Sequence, residues 1–276
     1  MKKTSLLLLT LFLSHLTGWA QSTTTSQYSF DGTVGIVAHR GFYKFEDASE
    51  NSIAAMQHAV DHDFYGTEFD VQFTLDSIAI IYHDASIQGT PIAQMPYEKI
   101  MKLPQSHLKG GETIPTLDQF LQAYSTALIQ QRVRNKTTRL FFEIKPPSNR
   151  ESVEYIVTES LKAVKKYNLE KLVSFISFDL NVCAYIAKLE PDIPVAYLGG
   201  DITPDNLYNS GILNIDYHFE QLLANPHWIE EAHRLGMTVN AWTVNDPHIA
   251  IRLRELKVEF ITTDLPLDME SWLLPK

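Results

Sequence analysis

The chain contains a single cysteine, Cys183, so an intrachain disulfide framework, a CxxC redox motif and a thiolate-rich zinc or iron-sulfur site are all excluded. Any metal must therefore find oxygen or imidazole ligands. Basic residues are also scarce. The 23 Lys and Arg against 33 Asp and Glu give a formal net charge of -10, which argues against a nucleic-acid partner and against unaided docking on anionic lipid. No HExxH, P-loop, GxSxG or GxGxxG pattern occurs, which removes the common metalloprotease, nucleotide-binding, hydrolase-elbow and dinucleotide readings. Internal repeats are absent too. What remains, 276 residues of which 45% are hydrophobic, is the composition of an ordinary soluble globular protein.

Long apolar runs are limited to one. Lys2 and Lys3 precede Leu6 to Leu13, and Gly18-Trp19-Ala20 follows, the order of a basic region, an apolar region and a small-residue cleavage site. The run is broken by Thr10 and is shorter than the ~20 residues of a spanning helix. Residues 1–20 are therefore read as a secretory signal, implying a secreted or periplasmic protein with no stable membrane insertion once the signal is removed. Residues 21–32, beginning QSTTTS, are polar and without period and read as a flexible N-terminal tail. A single domain over residues 33–276 follows.

From Val34 onward the chain alternates β-branched or aromatic runs with amphipathic stretches. Nine strands are predicted: Val34–His39, Tyr65–Thr74, Ile78–His83, Arg139–Lys145, Leu172–Phe178, Pro194–Leu198, Ile212–Tyr217, Met237–Thr243 and Glu259–Thr263. Helices are predicted over 51–62, 116–129, 152–167, 180–189, 226–235 and 247–256. In the first of these Ile53, Met56 and Val60 share a face, with Asp47 or Ser49 placed to cap it and His58 and His62 expected on the solvent side. The second and third strands are too close for a crossover and form a hairpin. A turn centred on Asp76-Ser77 would pair Thr74 with Ala79 and set His83 across from Asp70. Eight parallel strands then remain, the number that closes a TIM (β/α)8 barrel, an α/β fold with a β-hairpin extension. The Gly- and Pro-rich stretch 85–115 reads as a short insertion near the active-site mouth.

Charged residues cluster at the downstream ends of these strands, where barrel enzymes place their chemistry. Glu68 and Asp70 are two apart on a strand and share a face, and Glu143 has the same strand-end placement. Three carboxylates with no thiolate suit one hard divalent cation, Mg2+ or Ca2+. The competing reading is a set of buried ion pairs with Arg40 and Lys145. Those two cations can instead hold a phosphate, and His39 and His83 fit a general base and a general acid.

The order and spacing of AHRG, SENS, TEFDVQFT, IIYHD, IPTLDQFL, FFEIKPP, SFISFD, NAWTVNDP and FITTDLP resemble the glycerophosphodiester phosphodiesterases from His39 almost to the C-terminus. The resemblance implies a phosphodiesterase-type barrel and metal-dependent hydrolysis of a small-molecule glycerophosphodiester to sn-glycerol 3-phosphate and an alcohol. It also implies that Glu68, Asp70 and Glu143 hold the cation, that His39 and His83 are the acid and base, and that Arg40 and Lys145 contact phosphate. Glu50 and Asn51 would support Arg40 and the site entrance, and Trp242 would pack on the glycerol or leaving group. Ser77 stands where the family usually has Gly in the hairpin turn, and Gln88-Gly89-Thr90 replaces a frequent Arg-Thr-Thr run. Two other readings follow from the same residues. One is a lysophospholipase D-like or phospholipase C-like enzyme, with Ile87, Ile92, Met95 and Tyr97 forming an apolar entrance. The other is a catalytically silent binding protein.

Overall fold

In the computed structural model the described residues are 32–46, 48–104, 108–147 and 152–274. The proposed signal, all of the tail but Gly32, and Asp47 lie outside them. The chain runs β1 (Gly35–Ala38), α1 (Ile53–Asp61), β2 (Gly66–Phe73), β3 (Ala79–Ile81), β4 (Ser86–Ile87), β5 (Thr90–Pro91), a 3-10 turn (Ile92–Gln94), α2 (Tyr97–Met101) and α3 (Leu117–Val133). It continues with β6 (Arg139–Ile144), α4 (Val153–Lys166), β7 (Val173–Ser177), α5 (Leu180–Leu189), β8 (Val195–Tyr197), α6 (Pro204–Asn209) and β9 (Asn214–His218). The last elements are α7 (Phe219–Ala224), α8 (His227–Arg234), β10 (Thr238–Trp242), α9 (Pro247–Glu255), β11 (Phe260–Thr263) and α10 (Pro266–Leu273).

Eight of these strands form a closed parallel barrel. β1 pairs with β11 on one side and with β2 on the other, where Val37 lies opposite Gly66, so no edge is left open. The strand run therefore specifies the TIM barrel expected, with β3 added antiparallel to the far end of β2.

Strand alternation divides the apolar residues into two cores. Phe69, Val71, Leu140, Phe142, Val173, Phe175 and Val195 point outward into the layer shared with the helices. Val37, Phe141, Ile176, Ala196 and Leu198 point into the lumen and fill it. Gly66 faces that lumen without a side chain because a Cβ there would stand 2.6 Å from the Phe141 ring.

Three local expectations are corrected. The hairpin pairs Phe73 with Ala79 and Val71 with Ile81, one residue off the expected register. The turn spans Thr74 to Ile78, with the Ile78 amide donating to Thr74 Oγ1 at 3.0 Å and Thr74 Oγ1 donating to Asp76 Oδ1 at 2.6 Å. Ser77 adopts a left-handed φ of 63°, the conformation that favours glycine. A one-residue slip exchanges faces along a strand, so His83 is not opposite Asp70 and lies beyond the end of β3. The cap of α1 is Ser52, whose Oγ accepts from the Ala55 amide at 3.0 Å, while Ser49 is engaged elsewhere. His58 and His62 are half-buried against Phe42, Phe45 and Phe64 and do not face open solvent.

The insertion carries its own small core. Ile87, Ile92, Met95, Ile100 and Ile114 pack on Ile80 of the hairpin. It is tied to the barrel mouth through Ser49, whose amide donates to Glu112 Oε2 at 2.9 Å and whose Oγ accepts from the Lys109 amide at 2.7 Å.

Candidate active site

The alternation that fills the lumen with apolar side chains also decides which residues meet at its C-terminal mouth. His39 lies two residues after lumen-facing Val37, and Glu143 and Lys145 follow Phe141 at the same parity. Glu68, Asp70 and Gln72 alternate against outward-facing Phe69, Val71 and Phe73. Trp242 on β10 and Asp264 after β11 complete the ring. A cavity of about 130 Å3 at this mouth is lined by His39, Arg40, Glu68, His83, Glu143 and Lys145, with Trp242 on its far wall. A larger cavity of about 520 Å3 opens at the opposite mouth near Tyr65 and Arg139, and holds no comparable convergence of titratable groups.

Glu68, Asp70 and Glu143 are buried, and one carboxylate oxygen from each lies within 4.8 Å of the others. Lys145 Nζ bridges Asp70 Oδ1 at 2.6 Å and Glu143 Oε1 at 2.7 Å. The ion pairs considered as a competing reading are thus partly present, but they do not balance the charge. Arg40 Nη1 donates to Glu50 Oε1 at 3.0 Å, and its Nε stays 3.7 Å from Asp70 Oδ2. Among the described residues Glu68 accepts the Arg40 backbone amide, at 2.7 Å on Oε2, and its buried Oε1 has no hydrogen-bond partner.

The pKa values carry that imbalance. Burial, with the charges of Asp70 and Glu143 added, raises Glu68 well above the carboxylate range. Burial and the Asp70 charge likewise raise Glu143 to about 8 against the pull of Lys145. Burial also opposes ionisation of Asp70, yet Lys145 and the Asn51 side chain hold it at about 2. An orphaned oxygen, two carboxyls that burial and repulsion keep protonated, and a set of hard oxygen donors together fit a divalent cation.

Asn51 fixes Asp70 from both ends: its Nδ2 donates to Oδ2 at 2.7 Å, and its Oδ1 accepts the Asp70 amide at 3.0 Å. Arg40 and Asn51 both adopt left-handed backbone conformations, φ 53° and 58°, and are joined by the Asn51 amide donating to the Arg40 carbonyl at 2.9 Å. Strain of this kind persists where surrounding contacts over-determine it. Glu50 is the more exposed partner at the entrance.

The two histidines are held differently. His39 Nδ1 lies 2.7 Å from Asp264 Oδ1, leaving Nε2 4.0 Å from Glu68 Oε2. Asp264 is anchored by Asn245 Nδ2 at 2.8 Å and faces Lys44 at 3.7 Å. Burial would raise its pKa, but His39, Asn245 and Lys44 hold it at about 2, so it stays ionised. His83 is more exposed and pairs with Asp84 at 2.8 Å. Its loop is tethered by Gln72, whose Nε2 reaches the carbonyls of Tyr82, His83 and Asp84 at 2.9, 3.0 and 2.6 Å.

The structure therefore brings together at one mouth every residue proposed from sequence. The sequence reading did not single out Asp264, Asn245 or Gln72. The signals for two of them were present: Asp264 ends a strand as His39 does, and Gln72 shares the face of Glu68 and Asp70. His218 ends β9 and meets the Trp242 ring edge-on at 5.1 Å.

The comparisons with known proteins agree with this geometry. A model of the glycerophosphoryl diester phosphodiesterase family matches residues 39–268. The glycerophosphodiester phosphodiesterase of Caldanaerobacter subterraneus subsp. tengcongensis is 27% identical over 244 residues, covering 84% of this chain and 94% of that protein. A crystal structure of a glycerophosphodiester phosphodiesterase from Parabacteroides distasonis aligns with a TM-score of 0.78 at 35% identity, covering 87% of this chain and 96% of that one. An Oleispira antarctica phosphodiesterase, solved with the product sn-glycerol-3-phosphate, aligns at 0.71 over 86% and 96% of the two chains. At 21% identity that likeness speaks to the fold alone.

Proposed function

Because the chain belongs to the glycerophosphoryl diester phosphodiesterase family, we propose that it hydrolyses glycerophosphodiesters to sn-glycerol 3-phosphate and an alcohol, using one divalent cation, Mg2+ or Ca2+, held by Glu68, Asp70 and Glu143. The observation that carries the reading is the three-carboxylate cluster with an orphaned Glu68 oxygen, flanked at one mouth by two histidines, Arg40 and Lys145. When bound, the cation offsets phosphate charge and orients a substrate oxygen.

The chain's own side chains supply the rest. His39 and His83 are the acid and base. One takes the proton from the attacking glycerol hydroxyl or water as the new P–O bond forms, and the other gives a proton to the alcohol oxygen as the old bond breaks; after hydroxyl attack, a water then adds to phosphorus and opens the cyclic phosphate to the same monoester. Asp264 keeps His39 Nδ1 engaged, so Nε2 is the ring atom offered to the reaction. Arg40 and Lys145 stabilise charge developing on the phosphoryl oxygens. Trp242, stacked edge-on against Phe178 at 5.5 Å, presents an apolar wall to the glycerol carbons. The product held by the Oleispira antarctica enzyme, sn-glycerol-3-phosphate, is the product proposed here.

A free diester is favoured over a lysolipid. Of the four residues considered for an acyl entrance, Ile87, Ile92 and Met95 are buried in the core of the insertion and Tyr97 is half-buried against it. The test is to strip the protein of metal and follow glycerol 3-phosphate release from glycerophosphocholine and related diesters as Mg2+ or Ca2+ is restored. Metal-restored release, lost in Glu68→Ala and lowered about 100-fold or more in His39→Ala and His83→Ala, is the expected result. Full activity in both histidine variants would overturn the acid and base assignment, and tight binding without turnover would favour the silent binding protein. We also propose that residues 1–20 are removed on export, so that protein recovered outside the cytoplasm begins at Gln21 by N-terminal sequencing. An intact N-terminus there would refute this.

A further inference from the structure

Asp216 sits on β9, four strands around the barrel from β2 and three from β6, so it lies across the lumen from the carboxylate cluster. It lines the same cavity. The wall it belongs to is otherwise uncharged and built from Ile176, Phe178, Leu198, Trp242 and Thr262. Asp216 is 1% exposed, and its Oδ1 has no hydrogen-bond partner among the described residues. Burial raises its pKa to about 7, with a hydrogen bond from Asn240 working the other way. Its backbone is fixed, since the Asp216 carbonyl accepts Trp242 Nε1 at 2.9 Å. A lone carboxyl on an apolar wall, short of a donor, loses free energy until something supplies one.

A glycerophosphodiester held in the same cavity has a donor to offer. With the phosphoryl group between Arg40 and Lys145, the C2 hydroxyl stays one carbon away from the phosphate ester, while the terminal C1 hydroxyl is the group farthest from phosphorus. We propose that Asp216 accepts a hydrogen bond from the terminal hydroxyl of the glycerol arm, and so selects substrates whose glycerol is deacylated. This rests on the hydrolytic reading above. Phe141, Ile176 and Ala196 pack in the lumen beside Asp216, and the cavity it lines, about 130 Å3, is small for a diester that carries an acyl chain on that hydroxyl. A site built to bind a hydroxyl rejects an analogue without one strongly, because its own polar group is then left unpaired.

The test compares kcat/KM for sn-glycero-3-phosphocholine, for the same molecule lacking the terminal hydroxyl (a propane-1,2-diol phosphocholine ester) and for 1-acyl lysophosphatidylcholine. Wild type is expected to favour the first over the second by about 10- to 100-fold, and to leave the acylated diester nearly untouched. Asp216→Ala is expected to bring the first two within about threefold of each other by losing efficiency mainly on the substrate that carries the hydroxyl. Asp216→Asn keeps the volume and one acceptor oxygen, so it guards against a folding failure of the alanine variant and should show an intermediate ratio. Wild type that treats both diesters alike, or an Asp216→Ala protein that loses the same factor on both, overturns the proposal. Wild type that hydrolyses the deoxy diester but not glycerophosphocholine overturns it as well. Hydrolysis of neither diester refutes the parent reading, and this inference with it.

Discussion

Asp264 Oδ1 stands 2.7 Å from His39 Nδ1. An ionised carboxylate can only accept, so it draws the ring proton to Nδ1 and leaves Nε2 free toward the cavity. In Asp264→Asn the amide can donate to Nδ1 instead and push the proton to Nε2. The expected outcome is a fall in kcat of about 100-fold with KM little changed, accompanied by a changed His39 tautomer in 15N NMR of the ring nitrogens. Unaltered kcat would show that the contact merely packs the ring. The Arg40 and Asn51 conformations belong to the same scale: each strained residue is held by a site partner, the Glu68 carboxylate for one and Asp70 for the other.

At the scale of elements, β2 is longer than the barrel needs. Residues Gly66–Val71 pair with β6, and the remaining residues carry the β3 hairpin outward. That overhang places Gln72 under the loop after β3, where one amide nitrogen reaches three successive carbonyls. His83 is thus positioned by a side chain on another strand more than by its own. Gln72→Ala is expected to lower kcat about tenfold and to speed hydrogen exchange over residues 82–86, with β6 and β7 exchange unchanged. Unchanged kcat together with faster exchange would mean that His83 needs no fixed loop. The insertion acts on the other side of the mouth, since its Lys109 and Glu112 claim Ser49 and so leave the cap of α1 to Ser52.

For the whole molecule, the cluster makes stability depend on pH and metal together. Glu143 is raised to about 8 when folded, and Glu68 is raised as well, whereas both would titrate near 4.5 when unfolded. Between those limits the folded state binds more protons, so the metal-free protein loses stability as pH rises from about 5 to 8. A cation bound at the proposed site would take the deprotonated ligands and reverse the loss. At about 100 times its Kd it should contribute about 2.7 kcal/mol, a Tm increase of roughly 5–10 °C for a chain of this size. Thermal melts with chelator and with Mg2+ or Ca2+ should show a larger shift at pH 8 than at pH 5. An equal shift at both would place the cation away from Glu68 and Glu143.

The sequence by itself determined the eight-strand barrel, because closing strands announce themselves by length, β-branched content and spacing, and a parallel barrel has few ways to assemble them. It also determined which residues sit at the active mouth, since period-two alternation carries the parity of Val37 and Phe141 to His39, Glu143 and Lys145. It did not reveal the two-residue strands β4 and β5 or the helices α2, α6 and α7, which are too brief to show a period, nor the eight-residue α10. The tertiary structure alone decided the hairpin register, because Asp76 is drawn to the Tyr97 amide of the insertion at 2.9 Å, and it decided the α1 cap for a similar reason. It alone joined His39 to Asp264 across 225 positions and set Asp216 opposite the carboxylates. Those pairings arise from barrel closure and inter-strand stagger, and neither leaves a mark on a local stretch of residues.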